Sequence, residues 1–324
     1  GEPMRILIWH LHGSWMTSFV QGQHDYLVPV TPGRGPFGLG RARTWDWPAS
    51  VVEVTPQQLR DTRVDLVVLQ RPEELPLAAS WLGRVPGRDL PAVYVEHDTP
   101  AGPAAGTPHP LAGTAGITVV HVTRFNALYW DCGDSPVVVI EHGIADPGAL
   151  WTGEIARAAV VVNDPLTRGR TVGTDLLAGF AAHAPLDVFG MQVAGLGRAQ
   201  GIAAGQCREY EDLPQALLHE QLPLRRVYLH PFRWTSLGLS LIEAMFLGMP
   251  VVVLAATEAP RAVPPAAGAI STDVTELHAA ISRFTRDSQA ARAAGLAARE
   301  AACARYGLKR FLSDWDQLLQ EVSA

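Results

Sequence analysis

The sequence predicts an α/β protein of two doubly wound units, each a parallel sheet with helices on both faces. Three observations predict it. Short β-branched and aliphatic runs recur along the chain and alternate with segments of helical periodicity, the pattern of repeated strand–helix units. A glycine- and proline-punctuated segment at 146–153 separates two such series. A chain of 324 residues is also long enough for each half to bury a core of its own.

In the first half, residues 5–11 (RILIWHL) read as a strand ending in His12-Gly13-Ser14. Strand-like runs follow at 26–30, 64–69, 92–96, 117–122 and 137–140, with helical spacing at 73–82 and 124–130. Ligands gather at the carboxyl ends of parallel strands, which makes the polar residues there candidates: His12, Gly13, Ser14, His97, Asp98, Arg124, Glu141, His142 and Gly143. Gly33, Gly35 and Gly38 have the spacing of a dinucleotide fingerprint. Pro36 and the LGRARTWDWP that follows open no amphipathic helix, however, and that binding mode requires one. The stretch is read as a loop. Trp45 and Trp47, with Arg41 and Arg43, are read as a small cluster under it, with an acceptor cleft as the alternative.

The second series runs through a strand at 158–162, a polar loop at 163–173 and a helix at 174–183 with Thr174 as its cap. A strand at 186–189 follows, then a glycine-rich stretch at 192–211 without clear periodicity, a helix at 213–219 and a strand from 226. Residues 228–254, YLHPFRWTSLGLSLIEAMFLGMPVVVL, carry the most chemistry. Pro231 closes the strand, 233–238 is a loop, and Leu241, Ala244, Met245 and Leu247 have helical spacing. Gly248 suits the position past a helix end, and Val251–Leu254 is a buried strand. A loop at 255–268 and helices at 274–285, 289–305 and 308–322 complete the chain; the last is amphipathic, with Phe311, Trp315 and Leu318–Leu319 on one side.

A helix start preceded by Gly238 offers free backbone N–H groups and the positive end of a dipole to a phosphate. Glu243, one turn inside, suits the hydroxyls of a ribose. Ser240-x-x-Glu243 also matches a capping box, which needs no ligand. Both readings stand on pattern alone.

Composition excludes several classes. Hydrophobic residues make up 48% and charged ones 18%, as in folded enzymes rather than disordered chains. A net charge of −6 without Lys/Arg runs argues against nucleic acid as a partner. Cys132, Cys207 and Cys303 are widely spaced, which fits a reducing compartment and no zinc site. Residues 4–11 are too short for a secretory signal and no stretch is long enough for a transmembrane segment, so a cytoplasmic protein is expected.

The run SLGLSLIEAMFLGMPVV resembles the nucleotide-sugar signature of the retaining glycosyltransferases of family 4, which have the GT-B fold. There a Glu, seven residues and a second Glu precede a Gly-Pro-Val-Val segment. Glu243 falls on the second Glu; Thr235 stands where the first would be. IEHGI at 140–144 is similar to the segment that closes the family's first domain. RYGLKRFLSDWDQLL at 305–319 is similar to its final helix, which crosses back onto that domain. The resemblance implies two Rossmann-like domains, an N-terminal acceptor-side one over 1–150 and a C-terminal nucleotide-sugar-binding one over 151–305. Residues 306–324 would form the helix that packs on the first.

It also implies site residues. Gly13 and Ser14 are expected near the donor phosphates, and His97 near the transferred sugar, with a buried, hydrogen-bonded histidine as the alternative. Thr235, Ser236, Leu237, Gly238, Leu239 and Glu243 are expected to line the donor. Arg168 and Arg170 lie where the family has an Arg and a Lys that clamp the diphosphate, with Val172 near the expected Lys. Guanidinium groups suit phosphate, although two loop arginines are otherwise simply solvated. Arg233 is a third candidate; His12 and His142 are read as structural.

The expectation is a metal-independent, retaining glycosyltransferase that moves a hexosyl or related sugar from a nucleoside diphosphate donor to a small-molecule or glycan acceptor. No cofactor is expected, because no cluster of carboxylates for a metal is visible; the oligomeric state is open. The alternatives are a nucleotide-sugar-binding partner protein without turnover and a GT-B-fold sugar-nucleotide epimerase.

Overall fold

Strands form where short aliphatic runs are buried on both faces, as parallel sheets require. The computed structural model describes residues 1–324 and divides them into two units, Gly1–Ala145 with Leu308–Ala324, and Asp146–Gly307. The first unit holds β1 (Arg5–Ile8), β2 (Asp25–Pro29), β3 (Val51–Val54), β4 (Leu66–Leu69), β5 (Ala92–Glu96), β6 (Ile117–His121) and β7 (Val137–Val139). Their order in the sheet is β3-β2-β1-β4-β5-β6-β7, and every pair is parallel. The second unit holds β8 (Ile155–Val161), β9 (Leu186–Gly190), β10 (Cys207–Glu211), β11 (Arg225–His230), β12 (Val251–Leu254) and β13 (Gly268–Ser271). Its order, β10-β9-β8-β11-β12-β13, is also parallel throughout. Each order reverses once, between β1 and β4 and between β8 and β11. At such a switch point the loops leaving two neighbouring strands part and open a crevice.

Several elements depart from the sequence reading. The helix Gly13–Phe19 follows β1 directly, and β3, β10 and β13 fall in stretches without a strand expectation. β10 (CREYE) has three charged residues in five and sits at a sheet edge, where one side is solvated. Thr174 does not cap a helix. Thr174–Leu176 is a 3₁₀ turn, the helix starts at Leu177, and the buried Thr174 hydroxyl donates to the Pro165 carbonyl at 2.6 Å.

Each unit has its own core. In the second, Val160, Val188, Leu229 and Val252 of the sheet pack with Phe180, Leu277 and Ile281. In the first, Leu7, Val67, Leu69 and Tyr94 pack with Leu59, Ala78 and Leu82. The terminal helix Leu308–Ser323 belongs to this first unit and buries Phe311, Trp315, Leu318 and Leu319. The Trp315 ring meets Trp15 at 5.7 Å and Phe19 at 5.0 Å between centroids, both edge-on. Asp314 and Asp316 form an Asp-x-Asp triplet around that tryptophan. Asp314 pairs with Arg310 and Asp316 with His24, so both carboxylates serve the packing of this helix. No helix is long and apolar enough to cross a membrane.

Candidate functional site

The second switch point gathers the residues that the signature singled out. β11 ends at the buried His230, Pro231 stops the ladder, and the chain turns through Phe232–Leu237 into the helix Leu239–Leu247. Gly238 is the N-cap, in extended conformation and without a side-chain cap bond. A Cβ there would stand 2.9 Å from His230 Cε1, so the glycine lets the loop lie against the imidazole. The His230 ring stacks on Phe232 at 4.4 Å. Burial holds His230 neutral, with its pKa lowered to about 3. Its Nδ1 is buried without a hydrogen-bond partner.

The capping box does not form. Ser240 lies two residues inside the helix, and its hydroxyl bonds the Tyr228 hydroxyl at 2.9 Å. Glu243 is buried; Gln215 Nε2 donates to its Oε1 at 3.2 Å, and His219 Nε2 lies 3.3 Å from its Oε2. Both partners come from the helix Gln215–Gln221. Ser236 and Leu237 are buried, Thr235 and Leu239 half-buried, and the Ser236 carbonyl accepts from Thr257 Oγ1 at 3.0 Å.

The arginine loop is brought to the same place. After β8 come the helical turn Pro165–Arg168 and the 3₁₀ turn Gly169–Val172. The N–H groups of Arg233 and Trp234 both donate to the Thr171 carbonyl, at 2.9 and 3.1 Å, so the loop after β8 is bonded to the loop after β11. Gly173 permits this approach: its φ is +76°, and any Cβ would run into the Pro231 carbonyl oxygen. Arg168 is exposed, with one N–H on the Asn163 carbonyl at 3.2 Å. Arg170 is exposed and reaches Asp175 at 3.1 Å. Arg233 holds both Asp175 oxygens, at 2.6 and 2.9 Å, and keeps that carboxyl below its ordinary range. Two guanidinium groups, Arg170 and Arg233, thus share the one Asp175 carboxylate, and the exposed Arg168 adds a third positive charge to the same loop, which leaves the loop net positive.

The first unit carries a separate cluster at its own switch point. His12, in left-handed conformation at φ 52°, precedes the helix Gly13–Phe19, with Ser14 half-buried in its first turn. The Trp45 indole lies against Gly13: a Cβ there would be 2.7 Å from Trp45 Nε1. His97, at the end of β5, is buried and donates from Nε2 to Gln70 Oε1 at 2.8 Å. Gln70 in turn donates to the Trp9 carbonyl at 2.9 Å, which fixes its amide orientation and so the His97 tautomer. Burial first, then His12 and His142, push the His97 pKa well below its ordinary value, so it is neutral. The His12 ring lies tilted against it at 4.0 Å between centroids and Trp15 meets it edge-on at 5.0 Å. Residues 31–40 form a loop, as the sequence implied. Trp47 is buried and donates to Thr17, and Arg41 is committed to the carbonyls of Trp47, Pro48 and Val51. Those two hold the loop together; Trp45 is the ring that borders Gly13.

Sequence reading missed Gln70, Asp175, Gln215, His219 and His230. For Gln215 and His219 a signal existed, since residues four apart on a helix share a face. The others are brought in by the sheet alone.

No protein-family model matches the chain, and no curated protein matches its sequence. Solved structures do match. A sucrose-phosphate synthase from Thermosynechococcus elongatus is 15% identical with a TM-score of 0.73, over 98% of this chain and 99% of that one. The fold is GT-B. HepE from Anabaena, solved with UDP-glucose, is 14% identical with a TM-score of 0.68, over 98% and 100% of the two chains. A glycosyltransferase from Rickettsia africae is 12% identical with a TM-score of 0.67, over 99% of each. At these identities the likeness is one of fold: two parallel-sheet, Rossmann-like units built as in GT-B glycosyltransferases.

Proposed function

We infer that this protein is a glycosyltransferase that moves a sugar from a nucleoside diphosphate donor to an acceptor hydroxyl, with retention of configuration and without a metal. One observation carries the reading. At the second switch point the Gly238-led helix start, the buried Glu243 and an arginine-bearing loop are held together by the two hydrogen bonds onto the Thr171 carbonyl. Solved neighbours of the same fold contain UDP-glucose or UDP, which makes a uridine donor the first to test.

In this reading the diphosphate meets the amides near Gly238 and Leu239 and the guanidinium groups of Arg168 and Arg170, and the ribose hydroxyls meet Glu243. Gly13 and Ser14 of the first unit are assigned to the donor phosphates and His97 to the transferred sugar, where a neutral imidazole that carries its proton on Nε2 can accept a hydrogen bond at Nδ1. The glycosyl–phosphate bond breaks and the bond to the acceptor oxygen forms on the same face. The acceptor proton leaves on the departing phosphate oxygen. The arginines and amides take up the charge that develops there, and no metal is assigned to that task. Thr235 offers the sugar a hydroxyl in place of a carboxylate, which alters how the sugar is read. Thr235 also favours a second reading, a nucleotide-sugar-binding partner without turnover.

Melting temperature with UDP, GDP and ADP, followed by product formation from the matching sugar nucleotides with and without EDTA, tests this. The reading expects one nucleoside diphosphate to raise the melting temperature and its sugar form to be turned over or hydrolysed in EDTA. Stabilisation without any turnover would establish the binding-only reading. Activity lost in EDTA and restored by Mg²⁺ would overturn the metal-free step.

A further inference from the structure

The helix Gln215–Gln221 supplies no residue to the nucleotide signature, yet two of its side chains reach the one carboxylate on which the nucleoside reading depends. Gln215 Nε2 donates to Glu243 Oε1 at 3.2 Å, and His219 Nε2 stands 3.3 Å from Oε2. The Glu243 side chain is 7% exposed and that of His219 21%, so the contact is largely screened from solvent. His219 Nε2 is nevertheless not in line for a hydrogen bond and is left a buried nitrogen without one. A carboxylate has about four lone-pair sites. Gln215 takes one of them and His219 stands beside the other oxygen, which leaves lone pairs for the vicinal hydroxyls of a ribose.

We propose that Gln215 and His219 are positioning residues, holding the Glu243 carboxylate at the angle that reads the donor ribose. The proposal rests on the assignment of Glu243 to the ribose made above. It separates two roles that a simple tie between neighbouring helices would merge: such a tie steadies the fold and is indifferent to the hydroxyls of the ligand.

The experiment is a cycle between side chain and ligand hydroxyls. Full-length wild type, Gln215→Ala, His219→Ala and His219→Gln are titrated calorimetrically with UDP, GDP and ADP. Each is then titrated with the 2′,3′-dideoxy form of the nucleotide that binds most tightly. Wild type prefers the ribose form. Gln215→Ala and His219→Ala each lose roughly tenfold in affinity for it, the size of one hydrogen bond to a charged group, and keep their affinity for the dideoxy form. His219→Gln, whose amide reaches the place of Nε2, recovers the preference. Alanine variants that retain the wild-type preference, or that lose both ligands equally, overturn the positioning role. A wild type that binds both forms equally, or neither, removes the ribose assignment of Glu243 itself.

Discussion

Glu243 shows how one residue type can satisfy two patterns and the fold decide between them. Ser240 and Glu243 have capping-box spacing, but the N-cap is Gly238, so Ser240 is two positions too deep and bonds Tyr228 instead. The Glu243 carboxylate is therefore not used on its own helix start. Glu243→Gln is expected to weaken nucleoside diphosphate binding by about 1–3 kcal/mol, the cost of hydrogen bonds to a charged group. Calorimetric titration checks it; unchanged affinity with a lowered melting temperature would make the residue structural. The arginines differ from one another in a way their shared loop does not reveal. Arg170 shares Asp175 with Arg233, whereas Arg168 contacts only a backbone carbonyl in its loop. Exposed pairs contribute little to stability, so Arg168→Ala and Arg170→Ala should leave the melting temperature nearly unchanged. Each should lower turnover, by about 10²–10³-fold if its charge meets the leaving phosphate. Wild-type rates in both variants would end the clamp assignment.

At the scale of elements, the strands legible in the sequence are those buried on both faces. Ala92–Glu96 and Val251–Leu254 come out with the bounds read from their apolar runs, because such runs have no other low-energy placement. Edge strands escape this logic. Cys207–Glu211 lies at the end of a glycine-rich stretch and presents charges outward, and Gly268–Ser271 begins with a glycine and is only half-buried. The candidate site was legible to the same degree: its helix start and arginine loop stand in the sequence, but the bonds joining them depend on a sheet order no local pattern encodes. Gly173 is the clearest case. Its left-handed backbone and its approach to the Pro231 carbonyl are invisible until β8 and β11 are neighbours. Gly173→Ala is expected to destabilise the second unit by about 1–2 kcal/mol for the backbone alone, and by more for the clash. It should weaken nucleotide binding as well, since it parts the two loops. Thermal unfolding and calorimetry on the same variant test both effects, and a variant with wild-type values for both would show that the loops do not depend on this approach.

Over the whole molecule, the most general consequence of burying polar strand ends is acid sensitivity. His121 and His142 of the first unit and His230 of the second are buried, and their pKa values are lowered to about 4, about 4 and about 3. Burial is the first cause in each, and His142 is lowered further by Arg310. The sign follows from proton counting. In the unfolded chain these imidazoles take up protons near their ordinary value of about 6.5, whereas the folded chain resists until pH 3–4. Between those limits the unfolded state holds more protons, so stability falls as pH falls. Each imidazole contributes about 1.4 kcal/mol per pH unit well inside that window, and almost nothing above pH 7.5. Because both units contain such a residue, both should weaken as the solution is acidified from pH 7 to pH 5. Differential scanning calorimetry at half-unit steps reads this directly. The expected result is a flat thermal midpoint from pH 8 to 7 and a progressive drop below 6.5. His230→Asn, at a position where the ring nitrogen Nδ1 has no hydrogen-bond partner to lose, should reduce that slope. A midpoint unchanged down to pH 5 would mean that these imidazoles already accept protons in the folded chain, and that the strand ends are wetter than their packing indicates.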